Sequence, residues 1–318
     1  MSRIKPLYEG IKLNVAITSD NHIDTNVKAN NKRIKIIKKT LKDIEKSTVP
    51  FDAYVTVGDM TSRGIKKNWE VVKECFRGFT PAKNILFAMG NHDAWDESGF
   101  EKGYENAVAN YLKYCKEICG LEIDKPYFSR NIKGYTFIFL GNSQAAENED
   151  CACLGNEEIE WFKGEMDKAD ATGRPVFVFC HQSVNNNHGL PKTWDEDEED
   201  WEPEIGGIGK ESDEIEKILK QHKNVFYFSG HSHMGLCGEK SRAERGFSSF
   251  EEHDGVNYIN LPCLTRWNHH GENEKTGMGY LLEVYENKVV IRPRNYTKHK
   301  QNKKIIIKDG NPYFEVNI

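Results

Sequence analysis

Short apolar runs alternate with amphipathic segments from residue 13 to residue 229. Six runs have strand length and are rich in β-branched and aromatic residues: 13–18, 54–57, 85–89, 135–140, 176–180 and 225–229. Between them, apolar residues recur at helical spacing on two stripes: Ile34, Ile37, Leu41 and Ile44, and Ile159, Phe162, Met166 and Ala169. Runs without internal polar alternation are typical of strands buried on both faces. The pattern therefore predicts an α/β fold with helices covering buried strands.

The C-terminal part of the chain returns to a β pattern. Apolar runs at 258–261, 280–284 and 289–291 precede the segment KIIIKDGNPYFEV at 304–316. In that segment Asp309-Gly310 separates two apolar runs, which predicts a β-hairpin. A chain of 318 residues can form one large α/β domain. We expect one domain over residues 1–290, with residues 291–318 as a hairpin extension packed on it.

Residues 184–210 form the longest stretch without a clear period. It contains six consecutive acids at 195–200 and ends in the glycine-rich EIGGIG at 204–209. A loop of this length is usually a lid, a binding loop or disordered. We interpret it as a lid or insertion loop.

Composition limits the function classes. Hydrophobic residues make up 38% of the chain, charged residues 29%, and the net charge is −5. This balance is that of a soluble protein and argues against purely electrostatic binding of nucleic acid. No apolar run reaches membrane-spanning length and no secretory leader is recognisable, so we expect no membrane partner and a cytoplasmic location. The spacing of the eight cysteines fits neither a disulfide framework nor a structural zinc site, which predicts reduced thiols.

Polar residues close five of the apolar runs. They stand in SDNH (19–22), GDM (58–60), GNHD (90–93), the lone His181 and GHSH (230–233). In open α/β sheets ligands bind beyond the carboxyl ends of the strands. Segments that are distant in sequence therefore deliver their side chains to one crevice.

The residue types in these segments favour a pair of metal ions. Candidate ligands are Asp20, His22, Asp59, Asn91, His181, His231 and His233. Imidazole and carboxylate or amide oxygen suit manganese, iron and zinc. Two such ions about 3.5–4 Å apart bind the attacking and leaving oxygens of a displacement at phosphorus. Each segment alone is more often a turn with solvated side chains, but five in order at strand ends favour a site.

This ordered set resembles the calcineurin-like metallophosphoesterase superfamily, whose pattern is D-x-H, G-D, G-N-H-[DE], a lone H and G-H-x-H. The resemblance spans residues 13–285. It implies a four-layer sandwich of two mixed β-sheets flanked by helices, with a bimetallic site at the carboxyl ends of the strands. One divalent or trivalent ion would be held by Asp20, His22, Asp59 and His233. The other would be held by Asp59, Asn91, His181 and His231, with a bridging hydroxide as the nucleophile.

The resemblance also assigns substrate contacts. His92 would protonate the leaving group, and Asn91, His92 and Arg63 are the expected substrate-binding residues. The chain departs from the family pattern at one position. Many members read G-D-x-x-D-R-G, where the second Asp orients the catalytic His, whereas this chain reads GDMTSRG with Ser62 there. His92 therefore lacks its usual carboxylate partner.

The expected function is metal-dependent hydrolysis of a phosphomonoester or phosphodiester of a small molecule or nucleotide. A non-catalytic metal-binding or interaction scaffold on the same fold is the alternative from another class. A protein phosphatase or a nuclease of the superfamily is a further alternative, although the missing Asp and the absence of a basic composition argue against them. The loops at 94–104, 184–210 and 264–278 are expected to select the substrate.

Overall fold

The computed structural model describes residues 3–146, 151–194 and 206–318. The helices are α1 (Val27–Ile44), α2 (Lys66–Phe76), α3 (Phe100–Tyr114), α4 (Asn156–Asp170), α5 (Ser212–Lys220) and α6 (Glu239–Arg245). The first strands are β1 (Leu13–Thr18), β2 (Ala53–Val57), β3 (Ile85–Ala88), β4 (Phe128–Ile132), β5 (Tyr135–Phe139), β6 (Val176–Phe179) and β7 (Val225–Ser229). They are followed by β8 (Phe250–His253), β9 (Val256–Asn260), β10 (Met278–Val284), β11 (Lys288–Asn295), β12 (Lys300–Gln301) and β13 (Phe314–Asn317).

The strands form two mixed sheets. The first has the order β12-β11-β10-β1-β2-β3, with β13 also paired to β11. Within it β1, β2 and β3 are parallel, and β10 joins β1 in the antiparallel direction. The second has the order β4-β5-β6-β7-β9-β8 with β5, β6, β7 and β9 parallel. The prediction of an α/β fold with two mixed sheets is confirmed.

Two rows of phenylalanine fill the space between the sheets. Register places Phe137, Phe177 and Phe226 in one row and Phe139, Phe179 and Phe228 in the next. In the second row the rings stack at centroid distances of 4.8 and 5.0 Å. Since successive side chains of a strand point to opposite faces, the intervening residues pack against α4 and α5 instead.

Helices cover the outer face of each sheet. On α1 the predicted stripe of Ile37, Leu41 and Ile44 is buried against the first sheet, and Trp69 of α2 stacks on Tyr114 of α3 at 5.7 Å. Helices α4 and α5 cover the second sheet. The result is the expected four-layer sandwich.

The predicted C-terminal hairpin is correct at its turn and wrong in its pairing. Asp309 and Gly310 have φ values of +53° and +75°, and Lys308 and Asn311 form a bridge across them. However, β13 pairs with β11, so that Phe314 lies opposite Ile291. A lone two-stranded hairpin is marginally stable, whereas a strand added to a sheet edge satisfies its main-chain groups and buries its side chains. The predicted domain boundary at residue 290 falls inside β11.

Three other expectations concern the whole chain. The acidic run at 195–200 lies outside the described residues, so the lid interpretation stays a prediction. Within the described part of the chain, no two of the eight cysteines form a disulfide with each other. Within the described ranges, no helix is both long enough and apolar enough to cross a membrane.

A buried ion pair ties α1 to the edge of the first sheet. Arg294 of β11 donates to both carboxylate oxygens of Asp43, at 2.5 and 3.0 Å. The side chains are 2% and 1% exposed, and His299 Nδ1 lies 2.7 Å from the same carboxylate. This contact holds the helix that precedes β2 against the last long strand.

We expect Arg294→Met to lower the free energy of unfolding by about 3–5 kcal/mol, because it leaves the Asp43 carboxylate buried beside a single imidazole. Urea unfolding measures the loss. The matched control is Lys12→Met, which removes a solvent-exposed pair with Glu286 and is expected to leave the free energy of unfolding nearly unchanged. Equal effects of the two substitutions would show that burial of the Asp43 pair is unimportant.

Candidate metal centre

All seven predicted ligands lie together at the carboxyl ends of five parallel strands. Asp20 and His22 follow β1, and Asp59 follows β2. Asn91 stands in a short 3₁₀ turn after β3. His181 follows β6, and His231 and His233 follow β7. The seven side chains are buried, and the first sheet contributes four of them and the second sheet three.

Five of the seven residues adopt the left-handed backbone conformation. The φ values are +60° for Asp20, +46° for His22, +52° for Asp59, +66° for His231 and +48° for His233. For non-glycine residues this conformation is uncommon and stores strain of about 1 kcal/mol or more each. Such strain persists only where surrounding contacts hold the chain, and it concentrates at functional sites.

Main-chain hydrogen bonds hold the turns after β1 and β2 together. The carbonyl of Asp59 accepts from the amides of Asn21 and His22 at 2.8 and 2.9 Å. Close packing holds the turn after β3, because a Cβ at Gly90 would clash with Asp59. The turns therefore position one another.

Asp93, the last residue of GNHD, fixes two of these turns and was not singled out from sequence. Its carboxylate accepts from the amides of Met60, Thr61 and Gly90 at 3.1, 2.9 and 3.1 Å. Burial and the neighbouring Asp59 carboxylate raise the pKa of Asp93 to about 6. Its role is structural, because its oxygens face main-chain amides.

The first group of ligand atoms has the spacing of a shared ion. Nε2 of His22 and Nε2 of His233 are 3.0 Å apart. Oδ1 of Asp20 lies 3.5 Å from the first and 3.2 Å from the second. Atoms that bind one ion at about 2.1 Å with angles of 90–110° are roughly 3.0–3.4 Å apart. The group therefore fits a metal ion.

The second group is arranged around Asp59. Its Oδ2 lies 3.2 Å from Nε2 of His181 and 3.4 Å from Nε2 of His22, so one carboxylate oxygen faces both groups. His181 Nδ1 donates to the Val57 carbonyl at 2.7 Å, so that Nε2 is the ring nitrogen that would bind a metal ion. Among the described residues, Nε2 of His181 and Nε2 of His231 are buried without a hydrogen-bond partner. A second ion at these atoms would satisfy both.

The four histidines among the candidate ligands differ in their pKa values. Burial lowers the pKa of His22 to about 3, and burial with the neighbouring His181 lowers that of His231. Burial also opposes charge on His181, but the carboxylates of Asp59 and Asp20 outweigh it and raise its pKa to about 9. His233 behaves alike, with the Cys263 thiol and Asp20 raising its pKa to about 10. Without metal, the imidazoles of His181 and His233 are therefore positively charged at neutral pH.

The ligands open into a cavity of about 220 Å³, here called the metal pocket. Five of the ligands line it, together with His92, Trp194, Ser232, Arg266, Trp267 and His269. Trp194 stacks on His231 at 4.4 Å, and Trp267, 58% exposed, lies 5.4 Å from His233. Two of the three loops predicted to select substrate, 184–210 and 264–278, therefore reach the pocket, through Trp194 and residues 266–269.

Cys263 is a further neighbour that sequence reasoning missed. Its Sγ and one ring nitrogen each of His22 and His233 lie within 4.8 Å of one another. The thiol donates to the Asp20 carbonyl at 3.3 Å. Its place near the ligands depends on a loop about 30 residues after GHSH, and no local pattern marks it.

His92 has an orienting partner despite Ser62. Its Nδ1 lies 3.0 Å from the main-chain carbonyl of Ser62, and its amide donates to Oδ1 of Asp59 at 3.0 Å. A carbonyl accepts from an Nδ1–H as a carboxylate would, so the ring keeps a fixed orientation with Nε2 as its other nitrogen. Position 62 offers no carboxylate, as the sequence indicates, and the main-chain carbonyl of Ser62 is the partner of the His92 ring instead.

Arg63 lies outside the metal pocket. It extends over the ring of Trp95, with Cζ 5.4 Å from the ring centroid, and lines an adjoining cavity. Its predicted contact with substrate remains a prediction, and the geometry moves that contact to the far side of His92.

The sequence matches the family model described as calcineurin-like phosphoesterase over residues 13–235. The chain belongs to the calcineurin-like phosphoesterase family. Metal-dependent hydrolysis of phosphate esters is the general chemistry of this family, which implies a dinuclear divalent metal centre. The two groups of buried ligand atoms fit such a centre. A sequence search finds no curated protein that matches this chain.

Solved structures confirm the fold of this chain. A dimetal phosphatase from Danio rerio superposes with a TM-score of 0.61 at 11% identity, covering 90% of this chain and 97% of that one. A purple acid phosphatase from yellow lupin gives 0.62 at 11% identity, covering 96% of this chain and 53% of the other. The anchor in the inner membrane complex of Plasmodium gives 0.55 at 13% identity, covering 95% and 91%.

We expect the apparent affinity of this protein for zinc to rise with pH between about 6 and 8. Metal binding must displace the protons that His181 and His233 carry in this range, one from each ligand group. Displacing one proton per ion gives about a tenfold gain in affinity per pH unit. Competition against a fluorescent chelator measures it. His222→Gln, remote from the site, should show the same slope, whereas a slope near zero would contradict the protonation of these residues.

We expect Ser62→Ala to keep turnover within about threefold of the unchanged protein. The partner of His92 is the main-chain carbonyl, whereas the lost hydroxyl donates to the His22 carbonyl and accepts from Arg33 Nη1. Steady-state kinetics on a phosphate ester measures the effect, with His92→Ala as the comparison. If Ser62→Ala were as damaging as His92→Ala, the carbonyl would not be the orienting group.

Proposed function

We propose that this protein hydrolyses a phosphomonoester or phosphodiester of a small molecule or nucleotide with the help of two metal ions. The observation that carries this proposal is the position of Asp59. Its Oδ2 lies between His22 and His181, and thereby joins the two groups of ligand atoms. The six other candidate ligands lie around it.

Two ions bound there would supply the positive charge and the hydroxide that in-line attack on phosphorus requires. Asp59 and His92 would orient the site and protonate the leaving group. Asp59 orders the site by accepting the His92 amide through Oδ1. His92, held by the Ser62 carbonyl, is placed to give a proton to the leaving alkoxide as the P–O bond breaks. Overall, one water adds across the ester bond.

The walls of the metal pocket favour a small substrate. The pocket holds about 220 Å³, and the indole rings of Trp194 and Trp267 flank the ligands. Flat aromatic rings of this kind bind bases and other planar groups by stacking. A small phosphate ester with a planar part is therefore the favoured partner, with manganese, iron or zinc as the ions.

A scaffold role is the alternative from another class. The Plasmodium anchor shows that this fold occurs in a protein named for anchoring. Retention of every predicted ligand and of His92 favours catalysis here, since a scaffold would not need unpartnered imidazole nitrogens in its interior.

One observation favours nucleic acid as a second candidate substrate. A cavity of about 1200 Å³ beside β11, here called the basic groove, is lined by nine Lys or Arg residues and one acid, Glu272. Two of the nine, Arg292 and Arg294, are held in buried ion pairs. The net charge of −5 conceals this local concentration. Asn273 of the groove pairs with Leu236, three residues after His233, which brings the groove near the metal centre. A phosphodiester chain would find complementary charge there.

The deciding experiment loads the purified protein with manganese, iron or zinc and supplies p-nitrophenyl phosphate, bis(p-nitrophenyl) phosphate, a cyclic nucleotide and a single-stranded oligonucleotide. We expect metal-dependent turnover that Asn91→Ala abolishes and that His92→Ala lowers about 10²–10⁴-fold in kcat. Metal content is measured for each variant. Turnover of the unchanged protein that never exceeds Asn91→Ala with any metal would reject the proposal. Preference for the oligonucleotide would favour the second candidate.

A further inference from the structure

A second cavity adjoins the metal pocket on the far side of His92. It measures about 370 Å³, and we call it the arginine pocket because Arg33, Arg63 and Arg266 line it, together with Trp95 and Ser62. His92 and Arg266 line both cavities. The two are therefore neighbours that share a wall.

The charges in the arginine pocket are unbalanced. Arg33 is 13% exposed and is held by the His22 carbonyl, which accepts from Nη1 at 2.5 Å. Its nearest carboxylate is Asp24, at 3.5 Å. Among the described residues, no carboxylate lies within ion-pair distance of Arg63 or Arg266. Three guanidinium groups thus face one carboxylate.

Arg33 and Arg266 line the same cavity, so that their like charges oppose each other there. Burial lowers the pKa of Arg33, and the charge of Arg266 lowers it further. Like charges that converge in a half-buried cavity destabilise the empty protein unless an anion joins them. Guanidinium groups match the geometry of phosphate and carboxylate, which makes an oxyanion the complementary ligand.

The position of His92 relates this cavity to the reaction. In an in-line displacement the attacking and leaving oxygens lie on opposite sides of phosphorus, and the group that protonates the leaving oxygen marks the leaving side. His92 is that group in the proposed function. A leaving group that passes His92 enters the arginine pocket.

We propose that the arginine pocket binds an anionic group carried by the leaving part of the substrate. The preferred substrates are then phosphate esters whose alcohol bears a second phosphate or a carboxylate. The inference rests on the proposed function for the direction of departure. It extends that function by assigning Arg33 and Arg266, together with Arg63, to recognition of the leaving group.

The kinetic test uses two esters that differ in one group. Glycerol 3-phosphate has a neutral leaving alcohol, and 3-phosphoglycerate carries a carboxylate in place of its primary alcohol. We expect kcat/KM to favour 3-phosphoglycerate by about tenfold or more, the size of one charge-assisted hydrogen bond. Arg266→Met should bring the ratio towards one and Arg266→Lys should restore part of it. Arg174→Met, at a remote cavity, should leave the ratio unchanged.

A binding test separates this inference from the proposed function. Calorimetry on the manganese-loaded His92→Asn variant should show about tenfold tighter binding of 3-phosphoglycerate than of glycerol 3-phosphate. Glycerol 1,3-bisphosphate tests a phosphate at the end of the molecule where 3-phosphoglycerate has its carboxylate. Equal affinities, or a preference that Arg266→Met leaves intact, would overturn the arginine pocket even if the protein is active. A preference without turnover by the unchanged protein would support the pocket and reject the proposed function.

Discussion

The site depends on the position of one carboxylate. Asp59 accepts the His92 amide through one oxygen and faces His22 and His181 with the other, while its main-chain carbonyl accepts two amides from the turn after β1. Asp59 thereby contacts the turns after β1 and β3 and faces one candidate ligand from each sheet. It can occupy this place because its backbone is left-handed and because Gly90 leaves room beside it. A different conformation at residue 59 would displace both groups of ligand atoms together.

Much of the fold could be predicted because its strands are buried on both faces. The six apolar runs between residues 13 and 229 all became strands, and two of them, β1 and β7, have the predicted bounds. Phenylalanines alternate with aliphatic residues along β5 and β6, so both faces remain apolar and the run is easily recognised. The partner of β13 was predicted wrongly because strand pairing depends on which sheet edge is available, and the local sequence contains no information about that edge.

The candidate site, like the fold, could be predicted from the sequence only in part. Its ligand residues were recognisable because each closes an apolar run, and the topology then brings them together. What was missed depends on long-range geometry. The carbonyl that orients His92 belongs to the main chain, so the identity of Ser62 does not reveal it. Arg33 lies on α1 and Arg266 in a loop more than 230 residues later, and neither has a neighbour in sequence that predicts an anion between them. Local charge is concealed similarly, since the basic groove lies in a chain of negative net charge.

The ligands are shared between the sheets, and this has a consequence for how the protein can be taken apart. Residues up to Asn91 supply four ligands from the first sheet, and residues from His181 onwards supply three from the second. Neither fragment of a chain divided between them would contain either complete ligand set. Recovery of two bound ions on mixing the fragments would then report that the two sheets had packed together again. Metal binding would therefore measure whether the two sheets pack against each other as they do in the intact chain.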